Sequence, residues 1–135
     1  MIEQLVFWGG VTQLGIALSS LAIPRVLGWR QDVAQLHPLT RCVFWTYAAY
    51  ILSTNLFFAG VSMLAPHALV DGSLLARLLS GFISAYWGAR VLIQLFAYRG
   101  VRPRGPFYLA ADIFFLLAFM FVTAVYVAAA LADGA

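Results

Sequence analysis

Long apolar runs alternate with short polar segments along the chain, and four of the runs are long enough to cross a membrane as helices. They cover about residues 4–23, 42–64, 74–98 and 107–131. A helix of about 20 apolar residues spans the roughly 30 Å hydrocarbon core of a bilayer. Strand-like alternation of apolar and polar residues does not compete with this pattern. The pattern therefore predicts an all-α integral membrane protein, a single up-and-down bundle of four transmembrane helices over residues 1–135.

Residues that end or start helices lie at the boundaries of these runs. Pro24 follows the first run and Pro38 precedes the second. Residues 71–73, Asp-Gly-Ser, offer an N-cap to the third helix, and Pro106 stands where a fourth helix can begin. Between the first two runs, a mixed apolar and charged segment around Trp29 is typical of a short element on the headgroup surface, or of a docking surface for a partner.

Composition strengthens the membrane assignment. Hydrophobic residues make up 64% of the chain and charged residues 10%, with a mean hydropathy of +0.92. Soluble domains average roughly 45–50% apolar residues. The four runs leave little of the 135 residues for a soluble domain. We therefore expect the protein to act in or at the bilayer, in contact with membrane lipids.

The cationic residues are all arginine and are distributed unevenly. Six of the eight lie in the first and third connections, whereas the opposite side carries only Arg77: the six are Arg25, Arg30, Arg41, Arg99, Arg102 and Arg104. By the positive-inside rule both arginine-rich loops are cytoplasmic. The net charge of +3 thus reflects orientation, and no nucleic-acid partner is predicted. The lysine-free, alanine-rich composition is typical of a GC-rich bacterial genome. Together these features predict a bacterial cytoplasmic (inner) membrane protein with both termini on the periplasmic or extracellular side.

Residues that usually hold metals or perform catalysis are scarce. The two histidines, His37 and His67, are about 30 residues or ~45 Å of helix apart, so they cannot ligate one haem or metal ion together. Cys42 is the single cysteine, which excludes an intrachain disulfide and CxxC motifs. No Ser-His-Asp set or pair of glutamates suited to acid–base catalysis is present. The sequence predicts no enzyme, no catalytic or metal-binding residue and no resident cofactor.

Polar residues inside the runs form a candidate intramembrane cluster. The second run places several near one helical face, and the third spaces three at i, i+4 and i+8. We expect such side chains to turn toward other helices, because lipid offers no hydrogen-bond partner. They would form either interhelical hydrogen bonds or a polar path or ligand pocket. The cluster consists of Thr46, Tyr50 and Asn55 from the second run, Tyr86, Arg90 and Gln94 from the third, and Asp112 from the fourth.

Arg90 and Asp112 are the charged members of this cluster. Counted from the loop between the third and fourth helices, their depths are ~12 Å and ~9 Å. Left unpaired, each charge would cost roughly 2.5–3.5 kcal/mol near a helix centre. We therefore expect an ion pair across this hairpin. Binding of a solute or lipid by Arg90, and simple snorkelling, are the alternatives.

Small residues recur at helix-contact spacing in two of the runs. Small side chains let helix backbones approach closely in lipid. Contact within one bundle and contact with another subunit are both compatible with the spacing. The residues are Gly9, Gly10 and Gly15 in the first run and Gly81, Ser84, Ala85 and Gly88 in the third.

Much helix surface and little catalytic equipment favour a small non-catalytic accessory or assembly subunit of a larger membrane protein complex. Its partners would be other membrane subunits or further copies of itself. The alternative is a small oligomeric transporter or channel for a small solute or anion, using Arg90 and the polar faces of helices two and three. A weaker alternative is a binder of an apolar cofactor such as a quinone or pigment. Aromatic residues make up 16% of the chain, and those of the last run include Phe114, Phe115, Phe119 and Phe121.

Overall fold

The structure, a computed structural model, describes residues 2–98 and 105–132 of the chain, and every element in these ranges is helical. Four long helices form the bundle: α1 (Ile2–Ser20), α4 (Pro38–Leu64), α6 (Leu74–Leu92) and α7 (Pro106–Ala130). The connections hold three short helices: α2 (Ile23–Leu27), α3 (Trp29–Ala34) and α5 (Pro66–Leu69). A π-helical segment, Ile93–Ala97, continues α6.

Four helical stretches of the described residues are long and apolar enough to cross a membrane. They are Ile2–Leu27, Pro38–Leu64, Leu74–Ala97 and Pro106–Ala130. The predicted all-α bundle of four transmembrane helices is therefore confirmed. Three of the arginines behind the predicted orientation lie outside the described residues: Arg99, Arg102 and Arg104.

The packing order of the long helices differs from their order in the chain. Helix α1 lies against both α4 and α7, and α7 lies against α6. Aromatic side chains keep α4 and α6 further apart, with the Phe58 ring centroid 5.3 Å from that of Tyr86 and 6.0 Å from that of Phe82. Successive long helices run antiparallel. The 65–73 connection lies with the start of α1 at what we call the terminal end, and the 21–37 connection lies at the opposite, loop end.

Helix α4 begins four residues before the predicted start near residue 42 because its polar first turn is capped. Pro38 occupies this turn, where a missing backbone N–H leaves no hydrogen bond unmade. His37 Nδ1 accepts a hydrogen bond from the Leu39 N–H at 3.2 Å. Hydropathy alone could not place this start, since the first turn contributes little apolar surface.

Helix α6 begins at the N-cap that the sequence predicts. Ser73 Oγ accepts a hydrogen bond from the Ala76 N–H at 3.1 Å, and Asp71 Oδ1 accepts one from the Ser73 N–H at 2.9 Å. Hydrogen bonds from the Ser73 backbone N–H and hydroxyl hold the pKa of the exposed Asp71 carboxyl below its usual value. The 65–73 connection is thereby fixed to the start of α6.

Glycine is required where α1 crosses α4. A Cβ at Gly10 would lie 2.8 Å from Ser62 Cβ and 2.9 Å from Met63 Cγ, which is closer than non-bonded carbon atoms can approach. The predicted close contact of the first helix is therefore present at Gly10. The third helix differs, because a Cβ at Gly81 would meet nothing within 4 Å and one at Gly88 only an ordinary contact.

Candidate functional site

Each of the four long helices contributes one polar side chain to a network in the terminal half of the bundle. The four residues are at most 1% exposed, and we call them the Gln13 network: Gln13 from α1, Ser62 from α4, Trp87 from α6 and Tyr126 from α7. Buried polar groups of this kind need partners, because leaving one unmatched in an apolar medium costs several kcal/mol. The network therefore holds all four helices in one register.

Every member of the Gln13 network is hydrogen-bonded. Gln13 Nε2 donates to the Tyr126 hydroxyl at 2.6 Å and to the Gly9 carbonyl at 3.3 Å, while Gln13 Oε1 accepts from Trp87 Nε1–H at 2.9 Å. The Tyr126 hydroxyl also shares a hydrogen bond with Ser62 Oγ. Among the described residues, no buried side-chain nitrogen or oxygen lacks a partner. The network is thus closed in the sense that each of its polar side-chain atoms has a partner within the bundle.

Sequence reasoning missed the Gln13 network because its members are single residues on four different helices. One signal could have found it. Gln13 lies three and four residues after Gly10 and Gly9, so it shares the face of α1 that comes closest to its neighbours. A lone amide on such a face points into the bundle and needs partners from other helices.

The predicted ion pair between Arg90 and Asp112 is not formed in the described residues. Arg90 Nη1 donates to the Tyr98 hydroxyl at 3.1 Å, and its guanidinium carbon lies 5.0 Å from the Phe119 ring centroid. Asp112 Oδ1 instead accepts a hydrogen bond from Gln94 Nε2. We call these residues, without Phe119, the Arg90 cluster.

The depths of the side chains explain why Asp112 is paired with Gln94 and not with Arg90. Gln94 lies four residues, or ~6 Å of helix, nearer the 99–104 connection than Arg90 does, and therefore reaches the level of Asp112 more easily. Arg90 is left facing aromatic rings, whose electron-rich faces attract a guanidinium. Arg90 and Gln94 both turn toward α7, but Asp112 accepts its hydrogen bond from Gln94 and not from Arg90.

The polar residues of α4 lie on two different sides of the helix. Asn55 is buried and its Oδ1 accepts a hydrogen bond from the Tyr86 hydroxyl at 2.7 Å, as expected for interhelical bonding. Thr46 and Tyr50 are exposed on the outside of the bundle, so they do not turn toward the other helices of this chain. At about 100° per residue, Asn55 lies about 140° around the helix from Tyr50. These residues therefore do not share one face.

The outward side of α4 combines hydroxyl groups and an aromatic ring in one stripe, which we call the outer face of α4: Thr46, Tyr50, Ser53 and Phe57. The Thr46 and Ser53 hydroxyls donate to carbonyls of their own helix at 2.8 Å each. Tyr50 is 66% exposed, and its hydroxyl has no hydrogen-bond partner among the described residues. Hydroxyl groups thus lie on the outward side of α4 within a span.

A groove between α1 and α7 bears on the weaker alternative, the binding of an apolar cofactor. Its volume is about 430 Å³ and its lining includes Thr12, Gly15, Phe114 and Phe121. Phe115 and Phe119 do not line it. Those two rings stack on each other with centroids 6.0 Å apart, and Phe119 also stacks on Trp87. The aromatic residues of α7 are thus divided between groove and core.

No group of three or more His, Cys, Asp or Glu side chains in the described ranges could hold a metal ion. Comparison of the chain with protein-family models, with curated proteins and with solved structures gives no significant match.

Proposed function

We propose that the chain is a small non-catalytic accessory or assembly subunit of a larger membrane protein complex, and that a transmembrane helix of this complex packs on the outer face of α4. The observation that supports this most is the position of Tyr50. Its side chain is exposed, and no described residue satisfies its hydroxyl.

Tyr50 lies near the middle of its span. It is ~18 Å along the helix from Pro38 and ~21 Å from Leu64. Acyl chains offer no hydrogen bond, and moving a hydroxyl from water into such a medium without a partner costs roughly 4–8 kcal/mol. A polar group on a neighbouring helix removes most of that cost. Tyr50 is therefore better suited to a protein neighbour than to lipid.

The surroundings of Tyr50 also suit a close helix contact. Ala49 and Ser53 are four residues apart, and a Cβ at Gly60 would meet nothing within 4 Å. Small outward residues allow the backbone of a second helix to approach. The Gln13 network supports the same proposal in another way, because its closed hydrogen bonds suit a rigid core better than a hydrated path.

The alternative function is a small oligomeric transporter or channel for a small solute or anion. Thr46 and Tyr50 would then line a route between copies of the chain, and Arg90 would attract the anion. Binding of a quinone or pigment in the groove between α1 and α7 is the weaker alternative. In each case we propose a bacterial cytoplasmic membrane with both termini periplasmic, which is supported by Arg25, Arg30 and Arg41 lying near the loop end.

Site-specific photo-crosslinking in the intact membrane tests the proposal. A photoreactive phenylalanine analogue replaces Tyr50 in one variant and Met120 in a matched control. Met120 is 50% exposed and lies ~21 Å along α7 from Pro106, at a similar depth. We expect crosslinking of the Tyr50 variant to one defined membrane polypeptide, which also co-purifies in fixed stoichiometry after gentle detergent extraction.

The outcomes separate the candidates. Crosslinking to lipid alone at both positions would contradict the proposal. Crosslinking of Tyr50 only to a second copy, together with solute flux in liposomes made from the purified protein, would favour the transporter. A coloured or quinone-containing preparation would favour the cofactor binder.

A further inference from the structure

A basic pocket lies at the loop end, where α2 and α3 fold beside α4. Its volume is about 710 Å³. We call it the Arg25 pocket, and its lining includes Leu21, Arg25, Val26, Arg30, Gln31 and Trp45. It is separate from both the Gln13 network and the outer face of α4.

The backbone of the first connection shapes this pocket. Gly28 has a φ of +69°, the left-handed conformation that glycine adopts readily, and its N–H closes α2 by donating to the Pro24 carbonyl. The chain turns sharply there and enters α3. Trp29 then packs edge-on against Phe44 of α4 with centroids 5.3 Å apart, and Val33 is buried. The pocket is therefore part of the packed fold.

Two guanidinium groups line the pocket without a protein partner. In the described part of the chain, neither the Arg25 nor the Arg30 side chain makes a hydrogen bond or an ion pair. Nearby Arg41, in contrast, donates to the Ala34 carbonyl at 3.4 Å. Each guanidinium presents five N–H donors in a planar fork that matches the oxygens of a phosphate. The free donors of Arg25 and Arg30 therefore suit an oxyanion.

The other side of the pocket is apolar and belongs to the membrane spans. Leu21 follows the last turn of α1, and Trp45 lies in the second turn of α4, where tryptophan commonly marks the boundary between headgroups and acyl chains. A free inorganic anion would use the arginines and leave this apolar side uncovered. A lipid molecule would cover both.

We infer that the Arg25 pocket binds the headgroup phosphate of an anionic phospholipid, with the upper part of its acyl chains against Leu21 and Trp45. Arg25 and Arg30 donate hydrogen bonds to the phosphate oxygens. Anionic lipids concentrate near basic juxtamembrane segments, so the ligand is present at high local concentration. This inference does not depend on the proposed subunit function.

Lipid titration of the purified full-length protein in a neutral detergent tests the inference, with bound lipid counted by native mass spectrometry. The probes are dihexanoyl phosphatidylglycerol, dihexanoyl phosphatidylcholine and inorganic phosphate. We expect saturable binding of one phosphatidylglycerol, with weaker binding of the other two. Arg25→Gln and Arg30→Gln should each weaken it by roughly three- to tenfold, because a charged hydrogen bond is lost at an exposed site.

Arg41→Gln is the matched control, since it removes one positive charge at the same end outside the pocket. It should leave the affinity for phosphatidylglycerol within about twofold of that of the unmodified protein, because surface charges outside the pocket are screened. If Arg25→Gln fails to fold, Arg25→Lys keeps the charge but loses the planar fork, and should still weaken binding. Equal loss in all three glutamine variants would overturn the inference, as would equal binding of the two lipids. Inorganic phosphate binding as tightly as phosphatidylglycerol would also overturn it, in favour of a free-anion site.

Discussion

The two halves of the bundle use polar side chains in different ways. In the terminal half, the Gln13 network joins all four long helices through side chains that are almost fully buried. In the loop half, the Arg90 cluster joins α7 to the end of α6, while α4 turns Thr46 and Tyr50 outward. The same four helices thus form a closed polar core at one level and an open polar surface at another.

Helix spacing accounts for this difference. Gly10 lets α1 lie directly on α4, so that short side chains such as Ser62 reach the centre of the bundle. Between α4 and α6, in contrast, lie the rings of Phe58 and Tyr86. Nearer the loop end of α4, Asn55 still reaches Tyr86, whereas Thr46 and Tyr50 are exposed. Whether a polar residue of this bundle lies in the core or on the outer surface therefore depends on how closely the backbones approach.

Removing the centre of the Gln13 network should have the largest effect. Gln13→Leu leaves the Trp87 N–H and the Tyr126 hydroxyl without their amide partner, and should lower the free energy of unfolding by about 2–4 kcal/mol. The measurement is unfolding of the purified protein in mixed micelles, followed by tryptophan fluorescence. Thr46→Val is the control on the outer face of α4 and should change stability little. Equal losses in the two variants would remove the distinction between the halves.

A single methyl group at the α1–α4 crossing should have the next largest effect. Gly10→Ala forces Ser62 and Met63 away from positions 2.8 and 2.9 Å from the new Cβ, and should cost about 1–3 kcal/mol of stability. Gly60→Ala is the matched control, because its Cβ would meet nothing within 4 Å. The control should be neutral or slightly stabilising, since alanine favours the helix. If both variants unfold like the original protein, close approach at Gly10 does not hold the helices together.

The fold was predictable from sequence to a greater degree than the site. Apolar runs of membrane length predicted the four helices, and Ser73 predicted the start of α6. Both features depend on residues that are neighbours in the chain. The Gln13 network depends on four distant residues and on the packing order of the helices, which periodicity does not contain. The predicted ion pair between Arg90 and Asp112 was wrong. It rested on the similar depths of the two residues, which differ by ~3 Å, and left out the competition of Gln94 for the same carboxylate.

Double-mutant cycles on the free energy of unfolding can show whether Arg90 interacts with Tyr98 or with Asp112 in the loop half. Arg90→Gln and Tyr98→Phe should show a coupling of roughly 0.5–1 kcal/mol, the usual range for a cation near an aromatic ring or a single hydrogen bond. Arg90→Gln and Asp112→Asn should be additive within about 0.5 kcal/mol, because the two side chains have different partners. Strong coupling in the second cycle and none in the first would restore the ion pair predicted from the sequence.

The smallest expected effect is a pH dependence at the terminal end, where Asp71 holds the turn before α6. Hydrogen bonds from Ser73 lower the pKa of this carboxyl in the folded protein. A carboxyl whose pKa is lower in the folded protein than in the unfolded chain stabilises the fold at pH values above its pKa in the unfolded chain. That stabilisation is lost as the pH falls through the pKa of the folded protein. Asp71→Asn keeps an oxygen that can accept a hydrogen bond from the Ser73 N–H, but it removes the negative charge. The original protein should therefore melt at a slightly higher temperature than Asp71→Asn between pH 5 and 7, and this difference should shrink below the usual aspartate pKa of about 4. Thermal melts of both proteins across this range are the measurement, and a difference that stays constant down to the lowest pH would show that ionised Asp71 does not stabilise the turn.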